Sequence, residues 1–124
     1  MKIAFAGDGS TQEEKVAPKS SESLFVEKFR RIIQDNLADP SLNIDKVSSA
    51  MGLSRAQLYR KIKALTGTSP VDIIREARLK RADRLLETTD KSVSEIAYEV
   101  GFSSPSYFTK CYREHFGHTP NARQ

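Results

Sequence analysis

Residues 92–120 read SVSEIAYEVGFSSPSYFTKCYREHFGHTP, and residues 43–70 read NIDKVSSAMGLSRAQLYRKIKALTGTSP. The two stretches follow one pattern. Val47 matches Ile96 and Gly52 matches Gly101 at an offset of 49. Leu58, Ile62, Gly67 and Pro70 match Phe108, Tyr112, Gly117 and Pro120 at an offset of 50, so the second copy has one extra residue in its turn. Agreement at this many spaced positions marks two copies of one supersecondary unit, too few for a solenoid.

Each copy has the grammar of a helix-turn-helix. A short amphipathic helix comes first, over residues 44–51 and 93–100. Gly52 or Gly101 follows, because glycine reaches the left-handed region that a tight turn after a helix requires. One apolar residue, Leu53 or Phe102, then plugs the corner. Ser54 caps the next helix in the first copy, and Ser103 or Ser104 does so in the second. That second helix, over 54–66 and 104–116, turns Leu58, Ile62 and Leu65, or Phe108, Tyr112 and Phe116, inward. A helix pair joined this way can place its second helix in a major groove.

Charge placement supports this reading. Residues 54–66 contain Arg55, Arg60, Lys61 and Lys63 and no acid. A solvated structural helix usually mixes signs for i,i+4 pairing, so such a run points to phosphate neutralisation. The groove-facing candidates opposite Leu58 and Ile62 are Arg55, Ala56, Tyr59 and Arg60. Arginine can pair with guanine through two hydrogen bonds, and alanine can touch a thymine methyl. The second copy is poorer in charge. Its outward residues are Pro105, Ser106, Tyr107 and Lys110, with Arg113 farther along. Ser54, Lys61, Lys63, Ser104 and Arg113 are the phosphate candidates.

Between the copies, Ser69 caps and Pro70 opens a helix to about Thr88, with Ile74, Leu79, Ala82, Leu85 and Leu86 on one stripe. Its 19 residues span ~28 Å at 1.5 Å per residue. Successive major grooves on one face of B-DNA lie about 34 Å apart, so a rigid linker of this length suits two readers of one site. Arg75, Arg78, Lys80, Arg81 and Arg84 on this helix suit either phosphate contact or a solvated face. Upstream, Leu24, Phe25, Phe29, Ile32, Ile33 and Leu37 recur at helical spacing, with Ser21 as candidate cap and Asp39-Pro40 as the stop. Residues 1–20 show no sustained period and, with Gly7, Gly9, Ser10, Pro18 and Ser20, read as linker or tail.

Composition agrees with this division. Residues 1–23 hold three lysines and four acids, whereas residues 24–124 hold 17 basic and 12 acidic residues. No apolar run approaches the ~18 residues that span a bilayer. The single Cys111 cannot form an internal disulfide, which fits a cytoplasmic setting. Cys111 reads as a packed thiol. His115 and His118 have no further ligand beside them, so no metal and no cofactor are expected. Nor is a catalytic constellation present: there are no paired carboxylates, no Ser-His-Asp order and no phosphate loop.

The chain from about Phe25 to Pro120 resembles the DNA-binding domain of the AraC/XylS family of bacterial transcription regulators. The resemblance rests on IA-x-x-x-GF (residues 96–102), S-x-x-Y-F (104–108) and F-G-x-TP (116–120). It implies an all-α fold of about seven helices, with a first helix-turn-helix subdomain at 21–68, a linker helix at 69–90 and a second subdomain at 91–124. It also implies promoter binding, with Arg55, Ala56, Tyr59 and Arg60 facing bases in the first unit and Ser106, Tyr107 and Lys110 in the second. The implied partners are double-stranded promoter DNA, RNA polymerase and other domains of a longer regulator; the isolated domain is expected to be a monomer without membrane contact. The stretch GLSRAQLYRKIKALTGTSPVDIIREARLKRADRLLETTDKSVSEIAYEVGF is most similar to the output domains of hybrid two-component regulators, which implies phosphorelay control. Two departures stand out. Ser48 occupies a position where the family usually has Ala, and the last helix is expected to be shortened or missing. The alternatives are a stand-alone small activator of this type and a helix-turn-helix-derived protein-interaction module.

Overall fold

The computed structural model describes residues 20–123, so the linker expected over residues 1–20 lies outside the described residues except for Ser20. The described residues form seven helices and no strand: α1 (Ser21–Asn36), α2 (Ile44–Met51), α3 (Arg55–Thr66), α4 (Pro70–Thr88), α5 (Val93–Glu99), α6 (Pro105–Phe116) and α7 (Pro120–Arg123). The last helix is present but only four residues long.

Serine and asparagine side chains set most of the helix starts. Ser20, Asn43, Ser54, Ser69, Ser92 and Ser104 each accept a backbone N–H three residues ahead. The cap of α1 is therefore Ser20 and not Ser21, because Ser20 keeps the extended backbone from which its Oγ reaches the Ser23 amide at 3.1 Å. In the second copy Ser104 is the cap, which makes Ser103 the additional residue of the turn.

The two corners are built alike. Gly52 and Gly101 take φ of +72° and +97°. The Leu53 amide donates to the Ser48 carbonyl at 2.9 Å, and the Phe102 amide donates to the Ala97 carbonyl at 3.0 Å. These are matching positions of the repeat, and both bonds return the chain over the preceding helix end. Ser48, which stands where the second copy has Ala97, is buried, and its hydroxyl donates to the Ile44 carbonyl at 2.7 Å. The polar atom is thereby satisfied inside its own helix.

Two apolar clusters result. Phe29, Ile33, Leu37, Leu42, Val47, Leu58, Ile62, Ile73 and Ile74 form the first. The second contains Leu79, Ala82, Leu86, Ile96, Ala97, Val100, Phe102, Phe108, Cys111 and Tyr112. Helix α4 supplies both: its first turns close the first cluster, and its later turns floor the second. In that second role Leu79 and Leu86 stand near the repeat offset from Phe29 and Leu37. Leu24 stays 53% exposed despite its helical spacing. At 100° per residue it lies roughly 140° and 180° around α1 from Phe29 and Ile33.

Arg78 sits where the clusters meet, at 6% exposure. Its Nη2 donates to the Leu42 carbonyl at 2.9 Å and its Nη1 to the Val100 carbonyl at 2.7 Å. Burial lowers the affinity of this guanidinium for its proton, and the field of Asp39 opposes that effect. The basic cluster of α4 is therefore not one surface. Arg78 is internal, Arg81 pairs with Glu99 at 3.5 Å, Lys80 lies 3.8 Å from Glu76, and Arg75 pairs with Asp72. The spacing of these residues showed their proximity but not their different depths.

Gly101 forms the seat of Arg78. A Cβ added there would lie 1.5 Å from Arg78 Nη1, whereas one added at Gly52 would meet nothing within 4 Å. Gly52→Ala is thus expected to cost only the left-handed backbone penalty, about 1–2 kcal/mol. Gly101→Ala should cost clearly more, since it also displaces a buried guanidinium. Urea unfolding of the two variants checks the order, and equal losses would contradict it.

Candidate nucleic-acid interface

Helix α3 begins in a capping box: Ser54 Oγ accepts the Gln57 amide at 3.1 Å, and Gln57 Oε1 accepts the Ser54 amide at 2.9 Å. Leu58 and Ile62 are fully buried beneath it. By the helical step, Ala56, Tyr59, Arg60 and Lys63 share an arc of about 100° on the opposite side. All four are exposed, Tyr59 at 50%.

The other two cations leave that arc. Arg55 turns toward α2, where its Nε lies 3.3 Å from Asp45. Lys61 occupies the opposite flank, with Nζ 4.4 Å from the centre of the Phe25 ring on α1. The absence of acids within residues 54–66 therefore does not leave every cation unopposed, because Asp45 approaches from a neighbouring helix. An exposed pair of this kind is worth little and exchanges readily.

Helix α6 repeats the arrangement with different side chains. Phe108, Cys111 and Tyr112 face inward. Ser106, Lys110 and Arg113 lie together on the outer face and are exposed. At the offset of 50 they replace Ala56, Arg60 and Lys63. The same offset pairs Tyr59 with Thr109, a half-buried residue of that helix not singled out from the sequence. The cap hydroxyls Ser54 and Ser104 each accept the amide three residues on, and a hydroxyl keeps its own hydrogen for a further acceptor.

Tyr107 is separated from its expected companions. It lies on the flank of α6 that faces α4, with its ring 5.8 Å from Phe102 and its hydroxyl accepting from Arg75 Nη1 at 3.5 Å. It nevertheless remains 43% exposed. Interaction with Cys111, then burial, raises the phenol above its ordinary range, and Arg75 opposes them. Cys111 itself is buried. His115 Nε2 lies 4.0 Å from Glu76, and among the described residues no group of three potential ligands surrounds a metal position.

A family model described as a helix-turn-helix domain matches residues 47–123. Over its whole length the chain is 37% identical to Histidine kinase P4 of Formosa agariphila. It spans only 9% of that protein, and 36% of the Msm operon regulatory protein of Streptococcus mutans. Among solved structures it is similar to a transcriptional regulator with an AraC-type DNA-binding domain from Chromobacterium violaceum, at 36% identity and a TM-score of 0.75, over 82% of this chain and 89% of that one. It is also similar to the DNA-binding domain of the global transcriptional factor AdpA in complex with a target DNA, at 29% identity and a TM-score of 0.71, over 78% and 86% of the two chains.

The setting of Tyr107 is open to a direct check. Cys111→Ala removes the sulfur that raises the phenol, so the Tyr107 titration followed by carbon NMR of the ring should move down in pH. A titration identical to that of the parent would show that Cys111 does not touch it.

Proposed function

Since the chain belongs to the AraC-type family of helix-turn-helix DNA-binding domains, we propose that it binds double-stranded promoter DNA through α3 and α6, which enter successive major grooves as the output end of a longer transcription regulator. The observation that carries this reading is the pair of outer faces, Ala56-Tyr59-Arg60-Lys63 and Ser106-Thr109-Lys110-Arg113, exposed except for the half-buried Thr109 and related residue by residue through the repeat. The complex of the AdpA domain with its target DNA supports it.

In this reading Arg60 offers its two-pronged guanidinium to a guanine edge, while Ala56 and Tyr59 make apolar contact with neighbouring bases. Ser106 and Lys110 hold the corresponding places in α6, and Tyr107 contacts the edge of that site. Lys63 and Arg113 lie one turn farther along and neutralise phosphate, as do the hydroxyls of Ser54 and Ser104. Arg55 and Lys61 start from partners within the protein, Asp45 and Phe25, and exchange them for phosphate or base on binding. The likeness to a histidine kinase of which this chain spans a small part supports phosphorelay control by other domains of the same polypeptide, with RNA polymerase as the downstream partner. No catalytic role is proposed.

Selection of bound duplexes from a random pool should yield a bipartite site with its two boxes about one helical turn apart. On that duplex, Arg60→Ala is expected to cost ~1–3 kcal/mol and to relax preference at one base position. An equal loss on every sequence would reassign Arg60 to phosphate. Affinity should fall steeply with salt, and Lys63→Ala should flatten that slope by about one unit. A protein that binds duplexes without salt dependence, or none at all, would instead support the protein-interaction alternative.

A further inference from the structure

We propose that Arg78 is the positioning residue that fixes the spacing between the two recognition helices, with Gly101 as its seat. This inference rests on the reading of α3 and α6 as paired groove readers. Arg78 makes no contribution to either outer face. It stands on α4 between Ile73 and Ile74, which belong to the first cluster, and Leu79, Ala82 and Leu86, which belong to the second. Its two hydrogen bonds end on carbonyls of residues whose side chains lie in different clusters, Leu42 in the first and Val100 in the second.

The chemistry suits a spacer. A guanidinium is planar and carries donors in a fixed fork, so two bonds made together set a direction as well as a distance. Buried carbonyls left without donors are costly, so each unit is held to the same group. Val100 ends α5, where the partial negative charge of the helix end also favours a cation. Gly101 lets the plane approach the backbone, and no residue with a Cβ fits there without moving it. Neighbouring arginines on α4 add weaker contacts on the same side: Arg75 with Tyr107 and Arg81 with Glu99. Neither joins Leu42 to Val100 as Arg78 does.

A positioning role differs from a merely stabilising one in its dependence on box spacing. The selected bipartite duplex is compared with versions carrying one or two inserted base pairs between the boxes. The parent protein should lose about tenfold or more on insertion, because one reader is then displaced from its groove. Arg78→Met should bind the original duplex more weakly yet show a clearly flatter dependence on insertion. Arg78→Lys keeps the charge without the fork and tests the same point if the methionine variant does not fold. Gly101→Ala keeps the arginine but removes its seat, and should flatten the profile as well. Residual dipolar couplings of the free proteins give a readout independent of DNA. Those of α1–α3 and α5–α6 should fit one alignment in the parent and require two in the variants. A spacing profile and a single alignment unchanged in the folded variants would overturn the proposal. Separate alignments in the variants of a protein that selects no duplex would retain the spacer and reject the DNA reading.

Discussion

One buried guanidinium holds two small cores in a defined relation. Most arginines stay at the surface because the charge is costly to bury, and breaking one partner of a buried polar contact costs more than the contact gains. Arg78 meets that demand with two backbone carbonyls, one from the loop before α2 and one from the end of α5. The arrangement in turn constrains the backbone beside it. Position 101 must lack a Cβ for space, while its φ of +97° demands glycine for conformation. At the matching Gly52 only the conformational reason operates. The same glycine in two copies of the repeat thus answers to one constraint in the first and to two in the second.

The duplication also explains how so short a chain builds two cores. Four helices enclose each core, α1 to α4 the first and α4 to α7 the second, yet the described residues supply seven helices and not eight. Helix α4 resolves this by serving twice. Its N-terminal turn follows Gly67 as α7 follows Gly117, with Pro70 and Pro120 both buried. Its later turns then lie under α5 and α6 as α1 lies against α2 and α3. A helix shared in this way cannot tilt for one core without disturbing the other, and Arg78 lies at the shared point.

The fold was legible because its signals are local and repeated. Glycine, a corner residue and a serine cap recur at one offset, and each states its own backbone requirement. The ends of α2, α3 and α4 followed from them directly. The sequence was silent where neighbours in space are distant in sequence. Asp45 opposes Arg55 from another helix, Phe25 receives Lys61 from α1, and Arg75 on α4 meets the hydroxyl of Tyr107. Charge counting within a single helix cannot detect such partners. Arg78 was the hardest residue to place, since it lies in a run of five basic residues that reads as one surface. The helical step gave a partial signal: Arg78 falls within the arc of Ile74, Leu79, Ala82, Leu85 and Leu86, but so does Arg75, so position on the helix alone did not separate the buried arginine from its half-buried neighbour. Thr109 was also within reach, because the offset that pairs Arg60 with Lys110 pairs it with Tyr59.

The two outer faces are unequal, and that inequality makes the link between them matter. The α3 face carries Ala56, Tyr59, Arg60 and Lys63, whereas the α6 face carries Ser106, Thr109, Lys110 and Arg113 with Glu114 beside them, so the cations are equal in number but the second face adds an acid and lacks the aromatic ring. In the proposed reading the α6 face is the weaker of the two. Joined to a stronger reader at a fixed distance, it binds as an intramolecular second event whose effective concentration depends on how narrowly its position is defined. A loose joint would spread that position over many orientations, most of them outside a groove. A joint held by packed residues of both cores and a forked hydrogen-bond pair keeps the weaker face within reach of one groove. The weaker the chemistry of α6, the more its contribution depends on geometry set at Arg78.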